Sequence, residues 1–309
     1  MDIEKIKNNV WIINNTFLGE SNILATYMID SDKITIIDPG APVQSVELVK
    51  QLEKLGKIID VIALTHIHLD HASGSWNIIE RNPNITIYVH PRGVNHLIDP
   101  TDLLKAANLQ FKENMPDYGI VRGVPEKYIR QTKDEEIIEI GKNQLKIIWT
   151  PGHSTHSQSF YEPQNRILFV GDAAGHIIKD VVLPASPPPF SPKQSIDSVD
   201  KMLELDPKII CISHYGYKSD AVDYLRKYKD KVKAWEELSH EAVKNNFGLN
   251  ELFNMIHKED PEVQDLVTNY PDEKGNVYSS LAGFFSYAKW VNQKNIQNNE
   301  SLSKFTFFV

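Results

Sequence analysis

One cysteine, Cys211, stands in 309 residues, so no disulfide can form within the chain. No apolar run reaches the ~18 residues that a membrane-spanning helix requires. The opening stretch MDIEKIKNNVWIINN carries early charges and no long apolar core. That does not match a signal peptide, and a cytoplasmic location is the expectation. Blocks of lysine and arginine, low-complexity tracts and internal repeats are all missing, and the net charge is −8. Nucleic-acid binding relies on basic patches that displace counterions from phosphates, so this acidic balance counts against it. What remains is an ordinary globular composition, 41% apolar and 24% charged. The length suits one large domain, or a domain with a smaller appendage.

Short β-branched runs alternate with helical patterns up to about residue 217. Strands are predicted at 10–14, 23–29, 33–38, 58–65, 85–89, 135–140, 145–150, 166–170 and 208–213, with GKNQ (141–144) as a hairpin connection. A helix is predicted over 42–56, where Val43, Val46, Val49 and Leu52 recur and Gly56 closes the pattern. Another is predicted at 99–113, and a third over 191–205 with Ser191 as N-cap and Pro192 in the first position. From 218 onward no strand pattern occurs. Leu225, Tyr228, Val232, Trp235 and Leu238 mark an amphipathic helix, and 277–296 reads as helical too. The division is therefore 1–217, mixed, and 218–309, a helical C-terminal extension.

The chemistry gathers at strand ends. THIHLDH (65–71) follows the apolar run IIDVIAL and places three histidines and an aspartate in seven positions. In extended chain, residues two apart share a face, so His66, His68 and Asp70 alternate together while His71 turns elsewhere. Three further apolar runs end in a histidine or aspartate: IIWTPGH in His153, ILFVGD in Asp172, and IICISH in His214. Imidazole and carboxylate are ligands for zinc and similar divalent ions, whose charge compensates groups otherwise left unpaired in a buried place. Five histidines and two aspartates exceed the needs of one ion and suit a pair about 3.5–4 Å apart. Each residue also has a structural reading. Asp70 fits the N-cap of a helix at 72–80, Asp172 fits a turn, and His153 and His214 fit hydrogen-bonded histidines.

THIHLDH, TPGH, GDAA and SHYG, in this order, resemble the metallo-β-lactamase superfamily of hydrolases, and most of all its glyoxalase II-like branch. The resemblance runs from about residue 10 to 217. It implies an α+β fold, the αββα sandwich of two mixed β-sheets flanked by helices, with metals at one edge. It further implies one metal on His66, His68 and His153, a second on Asp70, His71 and His214, and Asp172 bridging the two. Asp38 in IIDPG would orient ligands without being one, or simply start a turn. Two divalent ions are expected as cofactors, zinc first, with iron or manganese as alternatives. The implied activity is hydrolysis of a small ester, thioester or lactone by a metal-bridging hydroxide, with Asp70 orienting it and shuttling its proton. Zinc β-lactamases lack the bridging aspartate and many use a cysteine ligand, whereas Cys211 lies mid-strand, so antibiotic hydrolysis is not expected. Diiron flavoproteins carry Glu where His68 stands. Only 41 residues separate Asp172 from His214, too few for the large inserted domain of the nucleic-acid-processing branch.

Alternative functions are a mononuclear iron oxygenase of the persulfide dioxygenase type, a metal-dependent nuclease, and a binding protein that kept its metals without turnover. The expected partner is a small-molecule substrate, with no nucleic acid and no membrane; a homodimer is an open option. Tyr215 fits a hydroxyl that reaches a substrate oxygen, His156 a hydrogen-bond partner to a ligand and His176 a side chain facing the pocket, and each equally fits a structural role. VVLPASPPPFSP (181–192) holds five prolines in 12 residues and is expected as a rigid loop and not a strand, with Leu183 and Phe190 as pocket walls or as plain connection. The 82 positions from His71 to His153 leave room for an insertion around 92–131, as a lid or a packed helix pair. The ending SLSKFTFFV is apolar and is expected to pack on the tail or on a partner subunit.

Overall fold

The computed structural model describes residues 2–17, 20–111, 115 and 117–305. Its strands, in chain order, are β1 Asp2–Lys7, β2 Val10–Phe17, β3 Glu20–Asp30, β4 Ile34–Ile37, β5 Ile59–Ala63, β6 Thr86–Val89, β7 Ile129–Gln131, β8 Ile137–Ile140, β9 Asn143–Trp149, β10 Gln158–Glu162, β11 Ile167–Gly171, β12 His176–Ile178, β13 Val181–Leu183, β14 Ile209–Ile212 and β15 Gly216–Lys218. The α-helices are α1 Pro42–Lys54, α2 Leu69–Ala72, α3 Ser75–Ile79, α4 Val94–Ile98, α5 Thr101–Phe111, α6 Pro192–Glu204, α7 Ala221–Lys244, α8 Leu249–Glu259, α9 Pro261–Asn269 and α10 Lys274–Phe305. One sheet runs β1 to β7 in order, antiparallel as far as β4 and parallel from there. The other has the order β15-β14-β11-β10-β9-β8, with β11 and β14 parallel and the other neighbours antiparallel.

Both sheets are mixed, and both are covered on two faces, which explains why their central strands read as continuous apolar runs. Ile12, Ile37, Ala63 and Tyr27 of the first sheet meet Ile147, Phe160, Phe169 and Cys211 of the second in one cluster. Their neighbours along the same strands, Ile13, Ile36 and Ile62, point the other way onto Leu48 and Leu52 of α1 and Ile78 of α3. Leu168, Val170, Ile210 and Ile212 face Val199 and Met202 of α6. The layers are therefore αββα, as the motifs implied. Cys211 is 1% exposed in the middle of β14.

The helical extension is not an appendage on a tether. Tyr228, Val232, Trp235, Leu281 and Phe284 belong to the same buried cluster as Leu168 and Ile212 of the second sheet. Among the described residues the stretch after Lys218 is helical, as expected. Ser191 caps α6 through Gln194 N, with Pro192 in the first position.

Several expectations are corrected. Val43 and Val46 are 44% and 42% exposed, and α1 buries Ser45, Leu48, Val49 and Leu52. A strict three-residue step drifts by about 60° per repeat on a helix of 3.6 residues per turn, so four such positions span half the circumference and cannot share one face. Val181–Leu183 is a strand paired with His176–Ile178, so the proline-stiffened loop starts only at Pro184. Leu183 and Phe190 are buried among the extension, with the Phe190 and Phe284 rings 4.8 Å apart. The short strands β1, β7, β10, β12 and β15 escaped the sequence pattern. Residues 112–114 and 116 in the 92–131 insertion, and 306–309 at the end of SLSKFTFFV, lie outside the described residues.

Trp235 is fully buried and its Nε1 donates to Asp260 Oδ2 at 3.0 Å. Trp235→Ala is expected to lower the unfolding free energy by about 3–5 kcal/mol, measured by denaturant titration. A loss below ~1 kcal/mol would show that the extension adds little to the core.

Candidate metal centre

The seven candidate ligands come from four chain segments that leave the sheets at the same edge. β5 ends at Ala63, and the chain bends at Thr65 before entering α2 after His68, whose backbone is extended. His66 Nε2 and His68 Nδ1 still come together. Asp70 does not continue an extended alternation, because Leu69–Ala72 is a helical turn that brings Asp70 and His71 round together. Nor is Asp70 an N-cap: that position belongs to His68, whose carbonyl accepts from His71 N and Ala72 N. His153 sits in the loop after β9, Asp172 directly follows β11, and His214 follows β14, where it bridges to Leu24.

The geometry divides into two groups. His66 Nε2 lies 3.1 Å from His68 Nδ1, and His153 Nε2 lies 3.0 Å from the same atom. Asp70 Oδ2 lies 3.4 Å from His71 Nε2 and 3.6 Å from His214 Nε2. Each trio is a set of ligand atoms that could hold one ion. Asp172 touches both: its Oδ2 is 3.6 Å from His71 Nε2, 3.6 Å from His153 Nε2 and 4.0 Å from His66 Nε2, while its Oδ1 is 3.5 Å from His214 Nε2.

Asp38, His66 and His71 form a third such group. Asp38 is nonetheless already committed. Its Oδ1 accepts from Thr65 N at 2.8 Å, and its Oδ2 accepts from Thr65 Oγ1 at 2.6 Å, Ser213 Oγ at 3.1 Å and His71 Nδ1 at 3.2 Å. It thus fixes the Thr65 backbone, the Ser213 hydroxyl and the His71 ring. With Nδ1 donating to Asp38, His71 turns an Nε2 lone pair inward. His153 does the same by donating Nδ1–H to Ala185 O at 2.8 Å. Glycine makes one close approach possible: Gly171 has φ 56, and a Cβ there would stand 2.3 Å from Thr65 Oγ1.

Charge follows the same division. Burial pushes His66 down, helped by the facing His71, His68 and His153, and pushes His68 down to about 3, helped by His153. Burial also lowers His153. His71 goes the other way: burial alone would lower it, but Asp70, Asp172 and the bond to Asp38 more than offset that. His214 is raised against burial by Asp172. Burial would raise Asp70 and Asp172, yet the facing histidines hold both below the usual carboxylate range. Two ionised carboxylates thus demand positive charge from whatever lies beside them. Asp172 Oδ1 and His71 Nε2 are moreover buried without a hydrogen-bond partner. Imidazole lone pairs converging at about 3 Å, orphaned buried atoms and an all-His/Asp donor set fit divalent metal ions.

The neighbours take definite places. His156 Nδ1 lies 3.0 Å from Ser154 Oγ, and its ring is 5.7 Å from that of His68. The His176 ring stands 6.1 Å from His214, and burial lowers its pKa to about 4. Tyr215 has φ 68 and is 36% exposed. The insertion packs against the site: Ala107 and Tyr118 cluster with Leu24 and with Leu69 of α2. Sequence reasoning gave no role to Thr65, Ser213 or Gln158, whose Nε2 donates to Leu64 O at 2.7 Å and whose N donates to Thr65 O at 2.8 Å. Thr65 was visible as the residue preceding His66; Gln158 carried no signal.

The metallo-beta-lactamase superfamily model matches residues 18–214. The chain belongs to the metallo-beta-lactamase superfamily. It is 28% identical over 205 residues to the metallo-beta-lactamase fold-containing protein ST1585 of Sulfurisphaera tokodaii, covering 65% of this chain and 76% of that one. The solved structure of that archaeal protein superposes with a TM-score of 0.62, covering 73% of this chain and 86% of the other. It is 26% identical to a hydroxyacylglutathione hydrolase, a glyoxalase II, of Buchnera aphidicola subsp. Schizaphis graminum, over 69% of this chain and 64% of the relative. A metallo-beta-lactamase family protein of Thermus thermophilus, TTHA1429, is 16% identical with a TM-score of 0.64 and covers 92% of this chain and 94% of its own. That likeness in fold reaches into the helical extension. The superfamily and its glyoxalase II-like branch, first suggested by the motifs, are borne out, and the chain is a metal-dependent hydrolase.

Removing the carboxylate that orients three segments should loosen the centre without touching a ligand atom. Asp38→Ala is expected to weaken metal binding about 10–100-fold, measured by competition with a chromophoric chelator. Unchanged affinity would show that Thr65, His71 and Ser213 hold their places without it.

Proposed function

We propose that the chain is a dinuclear hydrolase of a small ester, thioester or lactone. One observation carries this reading: two trios of ligand atoms flank a single carboxylate, Asp172, that lies within 4.0 Å of four histidines drawn from both. His66, His68 and His153 would hold one divalent ion, Asp70, His71 and His214 the other, and Asp172 both. Zinc is the first choice, with iron or manganese also compatible with this donor set. Bound there, the metal would supply Lewis acidity, both to lower the pKa of a water toward neutral and to polarise the carbonyl under attack.

The chain's own groups do the rest. Asp70 has a side chain 22% exposed, against 7% for Asp172, and is held ionised by His71 and His214. As the more exposed of the two carboxylates, Asp70 is the one to which we assign the orienting of the attacking water and the shuttling of its proton. Asp172 keeps the two trios together. No serine or cysteine nucleophile is required, and the one cysteine is buried in β14. Relatives named hydroxyacylglutathione hydrolase support a thioester as substrate. Residues 1–217 would carry the chemistry, and 218–309 would stand where glyoxalase II has its helical domain.

The test is elemental analysis of the purified protein, then assays on an ester, thioester and lactone panel. Two ions per chain and turnover on one class are expected. Asp70→Asn should cost about 10²–10⁴-fold in kcat if it handles the proton. One iron per chain with thiol-dependent oxygen uptake would replace this reading with the oxygenase, and RNA cleavage would replace it with a nuclease.

A further inference from the structure

The helical extension contributes none of the seven candidate ligands, yet it presses on the segment that orients one of them. The loop between β13 and α6 carries Ala185, whose carbonyl accepts the His153 Nδ1–H at 2.8 Å. The next residue, Ser186, is 2% exposed and donates its hydroxyl to the carbonyl of Ser280 on α10. One turn further along α10, Gly283 lets the helix backbone close on this loop. A Cβ at 283 would stand 2.1 Å from Ser186 O and 2.7 Å from Phe190 Cβ. The rings of Phe190 and Phe284 then pack at 4.8 Å, fixing the far end of the loop to the same helix. A hydrogen bond, a backbone approach that only glycine permits, and an aromatic contact thus join α10 to one loop, and that loop sets the ring orientation of His153. The other His153 nitrogen, Nε2, is the one 3.0 Å from His68 Nδ1 and 3.6 Å from Asp172 Oδ2.

We propose that α10 is a positioning element of the metal centre, acting through Ser186 and the Ala185 carbonyl on His153. This rests on reading His66, His68 and His153 as ligands of one ion. The extension thereby does more than complete the core, because its seating determines where one imidazole lone pair points. The effect falls on one ion only: Asp70, His71 and His214 come from segments that the Ser186 contact does not touch.

Zinc is titrated into the full-length metal-free protein against a competing chelator, in the wild type and in Gly283→Ala, Ser186→Ala and Leu252→Ala. Leu252 is buried in α8 and serves as a control that destabilises the extension while leaving the Ser186–Ser280 bond and Gly283 intact. Gly283→Ala is expected to weaken one of the two ions about 10-fold or more, the magnitude seen when an orienting partner of a metal ligand is lost, and to leave the other unchanged. Nitrogen NMR of the histidines should show the His153 Nδ1–H resonance shifted or lost in the same variant. Ser186→Ala should act in the same direction and decides the matter if Gly283→Ala does not fold. Leu252→Ala should lower Tm and leave both affinities alone. The proposal is overturned if the folded loop variants bind both ions as the wild type does, or if Leu252→Ala weakens the same ion to the same extent. A wild type that takes up no zinc would instead overturn the dinuclear reading itself.

Discussion

Asp38 is 2% exposed, and its two oxygens receive Thr65 N, Thr65 Oγ1, Ser213 Oγ and His71 Nδ1. Three segments that follow β4, β5 and β14 are thereby tied to one buried carboxylate. A carboxyl group so deep in the protein is tolerated only when its hydrogen bonds are satisfied, and here the groups that satisfy it belong to or adjoin the candidate ligands. Asp38 itself follows β4 in the left-handed region, at φ 51, which turns its side chain under THIHLDH. The sheet order makes this possible: β4 and β5 are parallel neighbours, so their carboxyl ends open at the same edge. Crevices beyond the carboxyl ends of parallel strands are common ligand sites in sheet proteins.

The candidate ligands were legible because their signal is chemical and not conformational. His66, His68, Asp70, His71, His153, Asp172 and His214 stand in or just after segments that leave apolar runs, and each lies within 4.0 Å of at least one other of the set. The conformation between them was less legible. Asp70 reads as part of an extended alternation, yet four residues of helix suffice to break that pattern, and so short a helix has no periodicity to display. For the same reason the three-residue strands β7, β12 and β15 went unread. They are defined by the partners they pair with, and pairing is a tertiary fact. Leu183 and Phe190 read as pocket walls or plain connection because their loop lies between Asp172 and His214. Their burial among the helices of the extension, Phe190 against Phe284, depends on residues far along the chain that no local window contains. Asp38 shows the same limit: IIDPG is as good a turn as it is an anchor, and only the approach of Thr65, His71 and Ser213 distinguishes the two.

The extension and the sandwich share a core, and that explains a feature of composition. Helices α7 and α10 carry Tyr228, Trp235 and Phe284, all fully buried, against strands whose outer faces are apolar as well. A sheet buried on both faces needs a second layer, and on this side α6 alone would leave much of it bare. Among the described residues no helix is long and apolar enough to cross a membrane.

Gly171 has a consequence that reaches beyond its own turn. There the second sheet packs against Thr65, just beyond β5 of the first, with no room for even a methyl group, and the next residue is Asp172, which touches both trios. The sandwich therefore works as a caliper. Phe160, Phe169 and Tyr27 fill the space between its arms, while His66 and Asp172 are mounted at its tips. Swelling that filling, even far from the edge, would open the bite, so the thickness of a hydrocarbon layer sets the spacing of a coordination site.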